Sequence, residues 1–125
     1  MNEPELGATA SVSLTVRAED CASALQLTDD PRDRYPEVFA TTRMIALMEY
    51  AGAHLLHEFV GKGEMSVGVA VDVIHSAPTP IGAEVTATAS YRERDGKLFV
   101  FDVVASDPAG EIGRASCRER VLLGV

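Results

Sequence analysis

One run, Met44-Ile45-Ala46-Leu47-Met48-Glu49-Tyr50-Ala51-Gly52-Ala53-His54-Leu55-Leu56, has the length of a helix and is apolar on more than one side. At 100° per residue, Met44, Leu47, Met48, Ala51, Leu55 and Phe59 form one continuous face, while Ile45, Gly52, Ala53 and Leu56 line the flank that carries Glu49. A helix apolar on two flanks has to be enclosed, and a chain of 125 residues offers only its other segments as the enclosure. Thr41 or Thr42 is placed to cap its N-terminus, and Gly61-Lys62-Gly63 stops it after about Val60.

The segments on either side read as strands. Val12, Leu14 and Val16 alternate with Ser11, Ser13 and Thr15, giving a half-buried strand before the helix. After it, Val67, Val69, Val71 and Val73 alternate with Gly68, Ala70, Asp72 and Ile74. Val85, Ala87, Ala89 and Tyr91 form a second alternating set, and Asp95-Gly96 turns it into Leu98–Val104. Asp107-Pro108-Ala109-Gly110 marks another turn before a last strand that ends in Val121-Leu122-Leu123. Between the first strand and the helix, Asp29-Asp30-Pro31-Arg32-Asp33-Arg34-Tyr35-Pro36 has the charge and proline content of an exposed loop. One enclosed helix against a largely antiparallel, curved sheet is an α+β domain, and residues 1–125 are expected to form one such domain. A sheet curled round a helix keeps two open edges, so pairing with a second copy is expected at one of them.

Composition narrows the function. Apolar residues make up 46% and charged residues 24%, as in ordinary globular chains, and a net charge of −8 argues against nucleic acid or an anionic membrane as partner. No apolar stretch approaches a membrane span, and Met1-Asn2-Glu3-Pro4-Glu5 lacks the features of a signal peptide, so the expected location is cytoplasmic. Cys21 and Cys117 lack ligand or CxxC spacing and read as free thiols. His54 and His57 stand three apart without a third ligand in reach, so no metal site is expected. Phe99 and Phe101, at strand spacing, read as core.

Glu49 is the one Asp, Glu, Lys or Arg between Arg43 and Glu58. Burying an unpaired carboxylate costs several kcal/mol or raises its pKa, so it is either satisfied by a partner or kept for chemistry. Two other groups compete for a role beside it. Thr41 is a helix cap by default, and His75, at the end of Asp72-Val73-Ile74-His75-Ser76, is a hydrogen-bonded structural residue by default. By strict alternation His75 shares its face with Val67, Val69, Val71 and Val73, an odd setting for an imidazole kept for packing alone. In a continuous helix Thr41 and Glu49 lie about 12 Å apart along the axis, so they cannot touch directly: either the segment before the helix folds back or the two groups flank a bound substrate.

Four words carry a family resemblance: Tyr35-Pro36-Glu37-Val38-Phe39-Ala40-Thr41, Leu47-Met48-Glu49-Tyr50-Ala51, Gly63-Glu64-Met65-Ser66-Val67-Gly68, and Val73-Ile74-His75-Ser76-Ala77-Pro78-Thr79-Pro80-Ile81-Gly82. Across residues 31–113 the chain resembles the fluoroacetyl-CoA thioesterase family of hotdog-fold proteins. The resemblance implies a hotdog fold, an acyl-CoA thioester as substrate, and a catalytic set of Thr41, Glu49 and His75. It further implies that Gly68 lies beside the thioester, that Tyr35 stands at an aromatic gate, and that the active protein is a homodimer with sites near its interface. The fluoroacetyl-specific enzyme has phenylalanine at that gate, so its acyl selectivity is not carried over. No cofactor is implied beyond the CoA of the substrate itself, whose phosphates Arg43, Lys62, Arg92, Arg94 and Lys97 could meet. The alternative is a non-catalytic hotdog module that binds acyl-CoA or another small apolar ligand. Intact Thr41, Glu49 and His75 weigh against it, because binding alone has no need of a carboxylate in an apolar helix.

The C-terminal string is of another kind. Glu111-Ile112-Gly113-Arg114-Ala115-Ser116-Cys117-Arg118-Glu119-Arg120-Val121 resembles the conceptual translation of a common short-read sequencing adapter, where the family has a glycine-rich stretch followed by histidine, glutamate and arginine. Residues 111–125 are therefore a candidate non-native tail replacing the native last strand, and Arg120, a CoA contact by resemblance, is given little weight.

Overall fold

A computed structural model describes residues 3–123. Strand β1 (Thr9–Thr15) leads through two short 3-10 turns, Ala18–Asp20 and Ala22–Ala24, and a loop into helix α1 (Thr41–Leu56), which tightens into a last 3-10 turn at His57–Phe59. Strands β2 (Glu64–His75), β3 (Glu84–Asp95), β4 (Leu98–Asp107) and β5 (Gly110–Leu123) follow. They form one sheet in the order β1-β3-β4-β5-β2 with every neighbour antiparallel. The single long helix packs on this curled sheet, which is the hotdog fold.

The central strands explain the enclosure. Val85, Ala87, Ala89 and Tyr91 of β3 and Phe101, Val103 and Ala105 of β4 are all buried at period two. They meet Met44, Leu47, Met48, Ala51 and Leu56 of α1. Small side chains along β3 let the helix approach closely, while Tyr91 and Phe101, with ring centroids 5.6 Å apart, fill the wide end. Within one chain the enclosure is incomplete: Tyr50 remains 65% exposed on the helix side away from the central strands.

Two local expectations are corrected. The N-cap of α1 is Ala40, in extended backbone, with no side-chain cap; its carbonyl accepts the amides of Arg43 and Met44, and Thr41 is already helical. The strict alternation along β2 also breaks. Gly68 pairs with Glu119 and Ala70 with Arg118, which leaves Val69 as the extra residue of a bulge. Opposed residues share a face, so Gly68 joins Val71, Val73 and His75 on the inner side while Val67, opposite exposed Arg120, points outward.

Candidate active site

The start of α1 and the end of β2 are brought together by the segments that flank them. The Phe39 amide donates to the Thr79 carbonyl at 2.8 Å, and Thr79 is fully buried with its hydroxyl donating to Asp107 at 2.8 Å. Two residues beyond Phe39 and four before Thr79, the Thr41 hydroxyl meets Nδ1 of His75 at 2.8 Å. This link joins residues 34 apart in sequence, and it takes up the hydroxyl that sequence spacing had offered as a cap.

The other imidazole nitrogen, Nε2, is buried and has no partner among the described residues. Burial pulls the His75 pKa below its ordinary value of 6.5, with the Ala77 backbone opposing in part, so the ring is neutral at neutral pH. A cavity of about 260 Å³ opens beside the pair, lined by Phe39, Thr41, His75, Ala77 and Pro78 among others.

Glu49 is two turns further along α1 and faces the β2 bulge. A Cβ built on Gly68 would fall 2.1 Å from Glu49 Oε2, so only glycine admits the carboxylate at that spot. No hydrogen bond or ion pair engages Glu49 among the described residues, and none joins it to Thr41 or His75. Its neighbours from β5 feel its charge. Glu119, 2% exposed, is pushed up to about 7 by burial and then by Glu49, and the Cys117 thiol is pushed up to about 12 by burial, then by Glu119 and Glu49.

The remaining candidates are dispersed. Tyr35, 55% exposed, lines a separate cavity of about 310 Å³ in the acidic loop with Asp29, Asp30 and Asp33, and is not among the residues lining the Thr41–His75 cleft. Arg43 is bound to Asp20 and Arg92 to Glu93 and Asp102, whereas Arg94 and Lys97 share a cavity of about 340 Å³ with Phe59 and Phe99. His54 and His57 are exposed, with ring centroids 4.7 Å apart. Three residues of this neighbourhood escaped the sequence reading: Asp20, Thr79 and Glu119. Asp20 follows Glu19, Thr79 stands between two prolines and Glu119 between two arginines, contexts that in sequence name no buried partner.

The profile of the family described as fluoroacetyl-CoA-specific thioesterase (FlK) matches residues 16–123. A fluoroacetyl-CoA thioesterase from Streptantibioticus cattleyicolor is 40% identical over 88 residues, covering 70% of this chain. The matched stretch spans 63% of that relative, a little less than two thirds of its length. A solved structure of the fluoroacetyl-CoA thioesterase FlK aligns with a TM-score of 0.88 at 32% identity, over 95% of this chain and 88% of that one. Variants of the same enzyme have been solved with acetyl-CoA and with fluoroacetate and CoA. A Thermus thermophilus hypothetical protein of the thioesterase superfamily, 24% identical with a TM-score of 0.85 over 98% of this chain and 87% of its own, shares the fold.

Proposed function

The chain belongs to the fluoroacetyl-CoA-specific thioesterase family, and on that premise we propose that it hydrolyses a small acyl-CoA thioester to the free acid and CoA, using Glu49, His75 and Thr41. The observation that carries this reading is the Thr41–His75 hydrogen bond, which leaves a neutral imidazole with its second nitrogen unpartnered beside a cleft.

When the Thr41 hydroxyl donates to Nδ1, the proton of the neutral ring sits on Nε2, ready for a departing thiolate. In one route the Glu49 carboxylate attacks the thioester carbonyl. The C–S bond breaks as the Nε2–H hydrogen-bonds the departing thiolate, and an acyl-glutamyl anhydride remains. Water then attacks the anhydride and gives its proton to the thiolate, which releases the acid and the thiol and regenerates the Glu49 carboxylate. In the other route Glu49 draws a proton from the water that attacks the carbonyl, and returns it to the thiolate as the C–S bond breaks. Both consume one water and release acid and thiol. The Gly68 backbone amide, at the bulge, is the group we assign to the developing oxyanion.

The two-turn gap between Thr41 and Glu49 is bridged in a homodimer. Strand β2 is a sheet edge and exposes Met65, Val69 and Ile74, beside exposed Tyr50 of α1. Pairing two β2 edges antiparallel about a twofold axis at Asp72, with Val69 bulged out of each strand, sets Gly68 of one protomer opposite His75 of the other. Each site is then composite, with Glu49 from one chain and the Thr41–His75 pair from its partner. No cofactor is needed beyond the CoA of the substrate.

A thiol-release assay over short, branched, aromatic and halogenated acyl-CoAs tests the reading. Turnover is expected with at least one short acyl group, and Glu49→Gln should reduce it by about 10²-fold or more. If nothing is turned over and Glu49→Gln leaves ligand affinity unchanged, the protein is the non-catalytic binder instead.

A further inference from the structure

Asp20 has no assigned part in the chemistry, yet its carboxylate is fully buried and accepts five hydrogen bonds. Oδ2 takes the Arg17 amide at 3.0 Å and Arg17 Nε at 2.9 Å; Oδ1 takes Arg17 Nη2 at 3.1 Å, Arg43 Nε at 3.1 Å and Arg43 Nη2 at 2.6 Å. Arg17 belongs to the same tight turn as Asp20. Arg43 lies 23 residues away, on the first turn of α1.

The main chain repeats that link. The Asp20 carbonyl accepts the Ala40 amide at 2.9 Å, Cys21 and Phe39 form a β-bridge, and the Ala22 amide donates to the Val38 carbonyl at 2.8 Å. Thr41 is therefore held from both sides, through the Ala40 backbone and through the Arg43 guanidinium, by one residue. This hold matters because α1 has no side-chain cap, and an uncapped first turn frays. Thr41 stands in that turn, and its hydroxyl is the one partner of the His75 ring nitrogens among the described side chains.

We propose that Asp20 is a positioning residue of this site: by clamping the first turn of α1 on both sides of Thr41, it fixes the hydroxyl against Nδ1 of His75 and thereby sets which imidazole nitrogen presents its proton to the cleft. A group orienting a catalytic imidazole at one remove governs its tautomer without touching substrate. The chemical consequence rests on the thioesterase reading; the clamp and its effect on His75 do not.

The test joins two readouts in the full-length protein. In the first, imidazole nitrogen NMR follows His75 in the wild type, Asp20→Asn, Arg43→Gln and Thr41→Val. Arg43→Gln leaves the Arg17–Asp20 turn intact and serves if Asp20→Asn fails to fold. Both clamp variants are expected to move the His75 Nδ1 signal in the direction that Thr41→Val moves it. A signal that stays at its wild-type position in every folded clamp variant overturns the proposal, whether or not the protein turns over any thioester. In the second readout, Asp20→Asn is expected to lower kcat by about ten- to a hundred-fold with KM nearly unchanged. In a Thr41→Ala background the same change should add little, because both act through one hydroxyl. Independent, multiplying losses would instead make Asp20 a general structural residue and sink the idea. Absence of wild-type turnover on every acyl-CoA would refute the functional reading alone and leave the NMR result to decide the clamp.

Discussion

Gly68 and Glu49 show how a site is fixed by what is missing from a side chain. The glutamate carboxylate occupies the space a Cβ at position 68 would take, at 2.1 Å from Oε2. Gly68→Ala must therefore push the carboxylate aside, and because the displaced group is the end of a flexible side chain the fold should tolerate it. We expect kcat to fall by about 10²-fold while thermal stability changes by no more than about 1 kcal/mol, as read by paired kinetics and melts. A large loss of stability with normal kcat in the folded fraction would contradict the placement. His75 yields a pH prediction. Its folded pKa is depressed below 6.5 by burial, so the neutral ring the reaction requires survives to lower pH than a free imidazole would. The acid limb of kcat/KM should accordingly bend below pH 6.5. Stability is linked to the same group: the unfolded chain takes up the proton first, so this contribution is full above pH 6.5 and is lost as the pH falls below it. An acid limb clearly above that value would assign the titration to another group.

At the scale of elements, the strands and the helix were legible because their periodicities are strong: Val85 to Tyr91 bury at period two and Met44, Leu47, Met48 and Ala51 at the helical period, although at the end of α1 Gly52 and Leu56 are buried while Leu55 stays half-buried. What could not be read was the bulge at Val69, since one extra residue leaves the local alternation of valines intact while reversing which of them face inward. Asp20 was illegible for a different reason: the Arg43 that binds it arrives only through tertiary structure, 23 residues later. Strand β5 carries the remaining tension. It pairs with β4 and β2 along its length, and the family match extends to residue 123, yet it buries Glu119, which has no hydrogen-bonding partner among the described residues, beside the Glu49 carboxylate. Such a burial suits our proposal that residues 111–125 replace a native last strand, which the coding DNA would decide. The carboxyl is protonated in both folded and unfolded chains below pH 4.5, and ionised in both above about 7, where the fold bears the full cost of the buried charge. Stability should thus decline as the pH rises through that window, by about 3 kcal/mol in all. Glu119→Gln should remove the decline and stabilise the protein at about pH 8, with little effect near pH 4, as denaturant titrations at the two values would show. An unchanged slope in the variant would mean that Glu119 is not the titrating group.

The whole molecule poses a geometric question that neither residues nor elements answer, because Thr41 and Glu49 sit on one straight helix two turns apart. A thioester carbonyl cannot be within reach of Glu49 and of the His75 held by Thr41 in the same chain unless the acyl group spans that gap. The open β2 edge removes the difficulty. Its exposed Met65, Val69 and Ile74 would be covered by a second copy, and antiparallel pairing turns one chain's Gly68 toward the other's His75. Lysine at Val69 and Ile74 should therefore shift the protein from dimer to monomer in light scattering and remove activity together with the interface. A sharper test uses two inactive proteins. Glu49→Gln homodimers lack the carboxylate at both sites, and His75→Ala homodimers lack the imidazole at both. Unfolded, mixed and refolded together, they form mixed dimers in which one of the two composite sites holds an intact Glu49 from one chain and an intact His75 from the other. With equal mixing, half of the dimers are mixed and each has one working site, so about a quarter of wild-type activity per dimer should return. If each site instead lay within a single chain, every chain in the mixture would still lack one essential group, and the refolded mixture would stay as inactive as its parents.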